Sequence, residues 1–367
     1  MAAEADEILF AWGPGESRLA VVAGGRVVEF AIDRPELLAG AVMLGRVVEV
    51  NTALDAAFVD MGAERPGFLP DAAALGLGQG PTGTVGVRAD ARGGKGALLS
   101  PAEAIRTAAA PPALLSRPHP LARLLAAHPS VRRVHMDDAA ALAEARPLFP
   151  ELLVHHRDGS AFALHDAEEA FEQALSPVVA LPSGGRLAIE PTAAMTTIDV
   201  DSGPSRPDDA NREAVGAIAR QLRLRGIGGQ VTVDFVSTKG RRTAYKLAEA
   251  LKRAVAADPV PTHIFGVTPL GMVELTRERR GPSLAELMLE HSQGASPRAA
   301  ALAALRRLLR EAASRPGIAA TLIVAPEVAT ALAACPAAVA ETERRLGRAL
   351  TIRSEAGRLR EDVGVEG

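Results

Sequence analysis

Hydrophobic and polar positions alternate in short runs over the first hundred residues. Ile8-Leu-Phe, Arg18-Leu-Ala-Val-Val and Arg26-Val-Val-Glu-Phe-Ala-Ile are strand-like and separated by turns at Gly13-Pro-Gly and Gly24-Gly, which predicts a β-meander. A second set follows: Leu44-Gly-Arg-Val-Val-Glu-Val, Asp55-Ala-Ala-Phe-Val-Asp-Met, Arg65-Pro-Gly-Phe-Leu, then Thr84 to Ser100 with Val85, Val87 and a Gly93-Gly-Lys-Gly turn. Short strands so closely spaced predict a small β-barrel. Residues 101–130 are rich in Ala and Pro; Pro111-Pro, Pro118 and Pro120 break any long helix and mark a linker or remodelled stretch.

Strands and helices alternate from about 130 to 192, ending in the strand Arg186-Leu-Ala-Ile-Glu. Next come a strand at Met195-Thr-Thr-Ile-Asp-Val-Asp, a helix over 209–224, a strand at Gln230-Val-Thr-Val-Asp-Phe-Val and a helix over 243–256. This βαβα succession builds a mixed or parallel sheet. From about 287 the chain reads as Ala/Leu/Arg helix with one strand at Thr321-Leu-Ile-Val-Ala, a small separate α+β unit. No repeat of fixed period is visible.

The 367 residues allow two or three domains, and 48% hydrophobic with 23% charged residues excludes a mostly disordered chain. The single cysteine, Cys335, excludes an internal disulfide framework and a multi-cysteine zinc site. The acidic opening does not resemble a secretory signal and no apolar run approaches membrane-spanning length, so a cytoplasmic protein is expected. Net charge is −3, which argues weakly against a nucleic-acid partner. The local balance differs: from Arg212 to Arg253 ten basic residues face three acids, a net +7 and a candidate polyanion footprint.

Asp199 and Asp234 carry the strongest candidate chemistry. Each stands near the end of an apolar, β-branched strand, where an unpaired carboxylate is costly. Two such residues on strands joined by a crossover could converge on one side of a sheet, with a hard divalent cation such as Mg²⁺ compensating them. Capping of a following turn, or pairing with an arginine, accounts for each Asp equally well from spacing alone. Asp201, two residues on and on the same strand face, favours the metal reading. Arg220, Arg223 and Arg225 end the intervening helix, where they complement its dipole or contact phosphate beside the metal. Phe58 and Phe68 stand on the barrel with Lys95, as barrel core or as a base-stacking platform with a cation. The eight histidines show no HExxH or HxH pairing, and Ser202-Gly lacks a nucleophile elbow.

Long stretches resemble the ribonuclease E/G family. Gly184-Gly-Arg-Leu-Ala-Ile-Glu-Pro-Thr-Ala-Ala-Met-Thr-Thr-Ile-Asp-Val-Asp-Ser-Gly is similar to its catalytic block, as is the run from Ile218 to Phe235. Gly45-Arg-Val-Val-Glu-Val, Ala56-Ala-Phe-Val-Asp-Met-Gly, Gly67-Phe-Leu-Pro and Gly94-Lys-Gly-Ala match in the barrel, and Gly271-Met-Val-Glu-Leu-Thr-Arg-Glu-Arg downstream. The resemblance implies an α+β multidomain chain. An RNase H-like subdomain (1–38 and 131–190) would be interrupted by an S1 (OB-type) RNA-binding domain (39–100) and a shortened 5′-sensor or linker region (101–130). A DNase I-like catalytic subdomain (191–286) and a small C-terminal α+β domain (287–367) would follow. It implies a Mg²⁺-dependent endoribonuclease acting on single-stranded RNA, not DNA, with Asp199 and Asp234 on the family's magnesium positions and Phe58, Phe68 and Lys95 on its S1 RNA-binding positions. Mn²⁺ accepts the same ligand set.

Four departures matter. Asp201 replaces the family's usual Asn, and Ser237 replaces the second Asp of Asp-Phe-Ile-Asp. The Cys-Pro-x-Cys zinc link is absent around Glu290–Pro297, so no zinc and no zinc-bridged oligomer are expected. The 5′-sensor segment is short, with only Ile105-Arg-Thr echoing the family's 5′-phosphate grip. The alternatives are an RNA-binding member with little or no catalysis, motivated by Asp201 and Ser237, and a metal-dependent nuclease preferring DNA.

Overall fold

The computed structural model describes residues 4–236, 241–290, 294–315 and 320–366. The opening meander forms as the alternation predicts: Ala5–Ala11, Ser17–Ala23 and Arg26–Asp33 pair antiparallel. Arg133–Met136 and Leu153–His155 extend this sheet in parallel, giving five strands with Ala5–Ala11 at the centre. Both faces are buried. Ile8, Phe10, Leu19 and Val21 meet Leu121 and Met136 on one side. Leu9, Ala20 and Val22 meet Phe162 and Phe171 on the other.

Between the third and fourth strands of that sheet the chain builds a closed five-stranded barrel. Val42–Asn51 pairs with both Ala56–Asp60 and Thr82–Ala89, and Gly67–Pro70 and Leu98–Pro101 complete the ring. Ala113–Ser116 adds to Val42–Asn51 from outside. Part of the stretch read as linker is therefore barrel, and Pro120 opens a helix, Pro120–Ala127, instead of breaking one. Proline fits a first helical turn because its missing N–H has no partner there anyway.

A six-stranded sheet follows, in the order Val178–Ala180, Arg186–Pro191, Thr196–Asp201, Gly229–Asp234, Val273–Arg277, Thr262–Val267. Thr196–Asp201 and Gly229–Asp234 are parallel neighbours joined through the helix Pro207–Leu224. That helix and Arg241–Val255 cover one face of the sheet with a shared apolar core, including Ile198, Val200, Ile218, Leu222, Val231, Val233 and Leu251. The opposite face carries Thr197, Asp199, Thr232, Asp234 and Glu274. The C-terminal unit packs the helices Pro297–Ser314, Pro326–Ala333 and Pro336–Leu346 on a three-stranded sheet of Thr321–Val324, Thr351–Ser354 and Gly364–Glu366. Among the described residues no helix is long and apolar enough to cross a membrane.

Glu16 joins the two ends of the chain. Its carboxylate is fully buried and lies 3.1 Å from Arg18, 2.6 Å from Arg34 and 2.9 Å from Arg306 of the C-terminal unit's long helix. The preceding turn is shaped for this contact: a Cβ on Gly13 would stand 2.7 Å from Arg306 Cγ. Burial alone would raise the Glu16 carboxyl, but the guanidinium groups of Arg306, Arg18 and Arg34 outweigh it and bring it down to about 2. The folded value is below the unfolded one, so the stabilisation is present above the ordinary glutamate range and is lost as pH falls toward about 2. Glu16→Ala takes the carboxylate from Arg34 and Arg306 and leaves Arg18 only Glu168 at 3.5 Å, and by analogy with broken buried pairs it should cost about 3–5 kcal/mol. Chemical denaturation of both proteins checks this. The difference should narrow in acid, between pH 4.5 and about 2.

Candidate active site

Asp199 and Asp234 occupy equivalent register positions on the parallel strands Thr196–Asp201 and Gly229–Asp234. Alternation sets their direction. Ile198 and Val200, Val231 and Val233 turn into the helix-covered core, so Asp199 and Asp234 project from the open face, and both are exposed. Neighbouring strands lie about 4.8 Å apart, which makes these two carboxylates a like-charged pair directly side by side. Among the described residues no hydrogen bond or ion pair engages either of them. Their repulsion is about 1 kcal/mol in water and about 3 kcal/mol at an effective dielectric of 20, small enough for the fold to carry and large enough to favour a cation. The capping and arginine-pairing readings of these residues do not fit this arrangement.

Asp201 differs although it shares strand and face with Asp199. It stands opposite Arg186 on the antiparallel neighbour, 2.7 Å from its guanidinium, and accepts the Gly203 N–H at 2.8 Å. The Gly203 hydrogen bond and the Arg186 charge hold its carboxyl below the usual aspartate range, against a smaller opposing effect of burial. Among the described residues no group of three or more His, Cys, Asp or Glu side chains is disposed to hold a metal ion. Asp201 thus differs from Asp199 and Asp234 in having a cation, Arg186, as its partner. Ser237 lies outside the described residues.

One positioning residue was not anticipated. Asn211, in the first turns of Pro207–Leu224, is buried. Its Nδ2 donates to the Val236 carbonyl at 2.9 Å and its Oδ1 accepts the Val236 N–H at 3.0 Å. The helix therefore grips the backbone two residues beyond Asp234. A polar residue among Ala210, Ala214 and Val215 on a buried stripe was the available signal.

Arg220 and Arg223 turn toward the N-terminal sheet, and Arg225 bonds within its own helix. Arg220 donates to the Val27 carbonyl at 3.2 Å and Arg223 reaches Glu29 at 3.5 Å. Arg225 is 5% exposed and donates to Gln221 Oε1 at 2.6 Å. Arg212 pairs with Asp209. The net +7 run is accordingly not one surface; its described open cations are Arg242, Lys246, Lys252 and Arg253 on the next helix.

On the barrel, Phe58 and Phe68 are register partners with ring centroids 5.9 Å apart at 71°. Ala57, Val59 and Leu69 fill the interior, and both phenylalanines stay half-buried outside it. Lys95 is exposed in a turn closed by Arg92 and Lys95 backbone hydrogen bonds of 3.0 and 2.8 Å. Phe68 N–H donates to the Ala97 carbonyl at 2.7 Å, which sets this turn beside the aromatic pair.

Residues 99–280 match the family model described as "Ribonuclease E/G family". Over 145 residues the chain is 44% identical to "Ribonuclease E" of Nostoc sp., covering 37% of this chain and 21% of that protein. It is 40% identical over 135 residues to "Ribonuclease G" of Salmonella typhimurium, covering 35% and 28%. To "Ribonuclease G" of Haemophilus influenzae it is 34% identical over 151 residues, covering 39% and 31%. The matched region thus spans about a fifth to a third of these curated relatives.

Asn211→Ala leaves both backbone groups of Val236 unpaired and should lower stability by about 2–3 kcal/mol. Amide exchange at Val236 should accelerate in this variant while the barrel amides stay protected; unchanged exchange at Val236 would exclude the positioning role.

Proposed function

Because the chain belongs to the ribonuclease E/G family through residues 99–280, we propose that it is an endoribonuclease whose reaction centre is the Asp199–Asp234 pair. The observation that carries this reading is the shared register of two exposed carboxylates that no hydrogen bond or ion pair engages among the described residues. The substrate is single-stranded RNA, cut to 5′-phosphate and 3′-hydroxyl ends. The barrel serves as the S1 (OB-type) element, the five-stranded sheet as the RNase H-like subdomain and the six-stranded sheet as the DNase I-like one.

The donor set fits Mg²⁺. Both candidate ligands are hard carboxylate oxygens on adjacent strands, and Mg²⁺ is commonly held by one or two carboxylates with water completing the shell. When bound, Mg²⁺ lowers the pKa of a coordinated water and withdraws charge from the scissile phosphate. Asp199 and Asp234 would hold it at the strand ends, with their direction fixed by the core residues that alternate with them. Asn211 keeps the Asp234 end of its strand against the helix. Phe58 and Phe68 present faces for base stacking and Lys95 a cation for the backbone, which suits a single strand with unstacked bases.

Asp201 bears on the alternative of RNA binding without cleavage. An additional carboxylate would repel substrate, but Arg186 at 2.7 Å offsets its charge, which favours a working nuclease.

Asp199→Asn and Asp234→Asn should each lower Mg²⁺-dependent cleavage of a labelled AU-rich RNA at least hundredfold, with the circular dichroism spectrum unchanged. Retained activity in both variants would remove the site assignment, and tight binding without cutting by the folded parent protein would leave the RNA-binding reading. Phe58→Ala with Phe68→Ala should weaken binding of the same RNA by about 2 kcal/mol or more, since each stacked base contributes about 1–3 kcal/mol. Filter binding in EDTA measures this apart from cleavage.

A further inference from the structure

A cavity lies at the other end of the six-stranded sheet. It opens where Thr196–Asp201 and Gly229–Asp234 begin, so the length of the strands separates it from Asp199 and Asp234. Arg225 and Arg279 line it, Leu175, Ile189 and Met195 contribute apolar wall, and Arg225 also borders the neighbouring cavity that Glu29 and Arg277 line.

Among the described residues Arg225 has no acid partner, whereas Arg279 feels the charge of Glu286. Arg225 is 5% exposed, and its Nη2 is buried without a hydrogen-bond partner. Among the described residues no hydrogen bond or ion pair engages the Arg279 guanidinium. Arg279 is nevertheless seated firmly: it lies across Gly228 and Gly229, and a Cβ on Gly228 would stand 2.8 Å from Arg279 Cγ. Gly229 has φ +88°, a conformation that side chains other than glycine's rarely adopt, so the chain is built to leave that space to the arginine. Glu286 is the one acid lining the cavity, and its Oε2 accepts the Ser283 N–H at 2.7 Å in a helix capping box. Burial and the neighbouring Arg220 lower Arg225 only to about 10, so it stays charged at neutral pH. Burial and Arg92 of the barrel turn lower Arg279 as well, opposed by the Glu286 charge.

We propose that this cavity binds a small phosphate monoester, held by Arg225 and Arg279 with its organic arm against the apolar wall. A buried guanidinium hydrogen with no acceptor is costly, and a bidentate oxyanion is the ligand that two such forks recognise. Size sets the class. The cavity volume is about 60 Å³. At about 10–15 Å³ per water-sized group this is room for a phosphate and a short arm, not for a nucleotide base and sugar as well. The site is independent of the proposed RNA cleavage, and its test needs no activity.

Calorimetric titration of the full chain with inorganic phosphate and with ethyl phosphate tests the proposal. Ethyl phosphate should bind several-fold more tightly than inorganic phosphate. Arg279→Gln should weaken it at least tenfold, Arg279→Lys by an intermediate factor, and Arg280→Gln, on the exposed neighbour, less than twofold. Equal losses at Arg279 and Arg280, or none at either in folded protein, would overturn the site. Displacement of ethyl phosphate by an RNA lacking terminal phosphates would assign the arginines to a polynucleotide backbone and overturn the small-ligand class.

Discussion

A single buried carboxylate decides how the ends of this chain meet. Glu16 cannot be left unpaired in the interior, and the three guanidinium groups that surround it come from the strand that follows it, from the residue after the third strand and from the C-terminal unit. Satisfying one charge therefore requires the opening sheet and the helix Pro297–Ser314 to be in place together. Arg18 also lies over the Phe171 ring at 4.4 Å, so the cluster is continuous with the aromatic core beneath that sheet. On the same sheet, Arg26–Asp33 receives the end of Pro207–Leu224 through Val27 and Glu29. The helix that joins the Asp199 and Asp234 strands thus rests on the same sheet whose opening turn carries Glu16.

Helix Pro207–Leu224 mediates between the two large sheets, and its sequence is partitioned accordingly. Its apolar stripe meets the six-stranded sheet, Asn211 holds the strand-end backbone, and the arginines of its last turns spend their donors on the N-terminal sheet and on Gln221. A run of arginines on one helix reads as a phosphate surface only if nothing packs against it. Here a second sheet does, and carbonyl and carboxylate acceptors take the place of a ligand. Arg225 is the exception, since its Nη2 finds no acceptor.

Alternation made most of this legible. The inward and outward residues of the Asp199 and Asp234 strands, the barrel and the α+β C-terminal unit all follow from the spacing of apolar positions. Contacts distant in sequence were not legible. Nothing local indicates that Asp199 and Asp234 share a register, because register depends on how Pro207–Leu224 spans the crossover. The pairing of Asp201 with Arg186 needed the antiparallel neighbour, and Ala113–Ser116 looked like linker because its partner strand lies some seventy residues earlier. Glu16 and Asn211 escaped for a related reason: a polar residue in an apolar stretch signals a partner without saying which.

The contrast between Asp199 and Asp201 is the strongest physical argument for where a cation would sit. The two residues share a strand, a face and a side-chain type, so local sequence preference cannot separate them. What separates them is the neighbour across the ladder. Opposite Asp201 stands Arg186; opposite Asp199 stand Ala188 on one side and another aspartate, Asp234, on the other. A fold selected only for stability would relieve a like-charged pair as it relieves Asp201, by one arginine on an adjacent strand. Leaving the repulsion unrelieved at one register while neutralising the carboxylate two residues away concentrates negative potential at a single point on the open face. On the proposed reading a hard divalent cation with its own water shell would answer that potential, and this asymmetry adds to the shared register of the two carboxylates as its support.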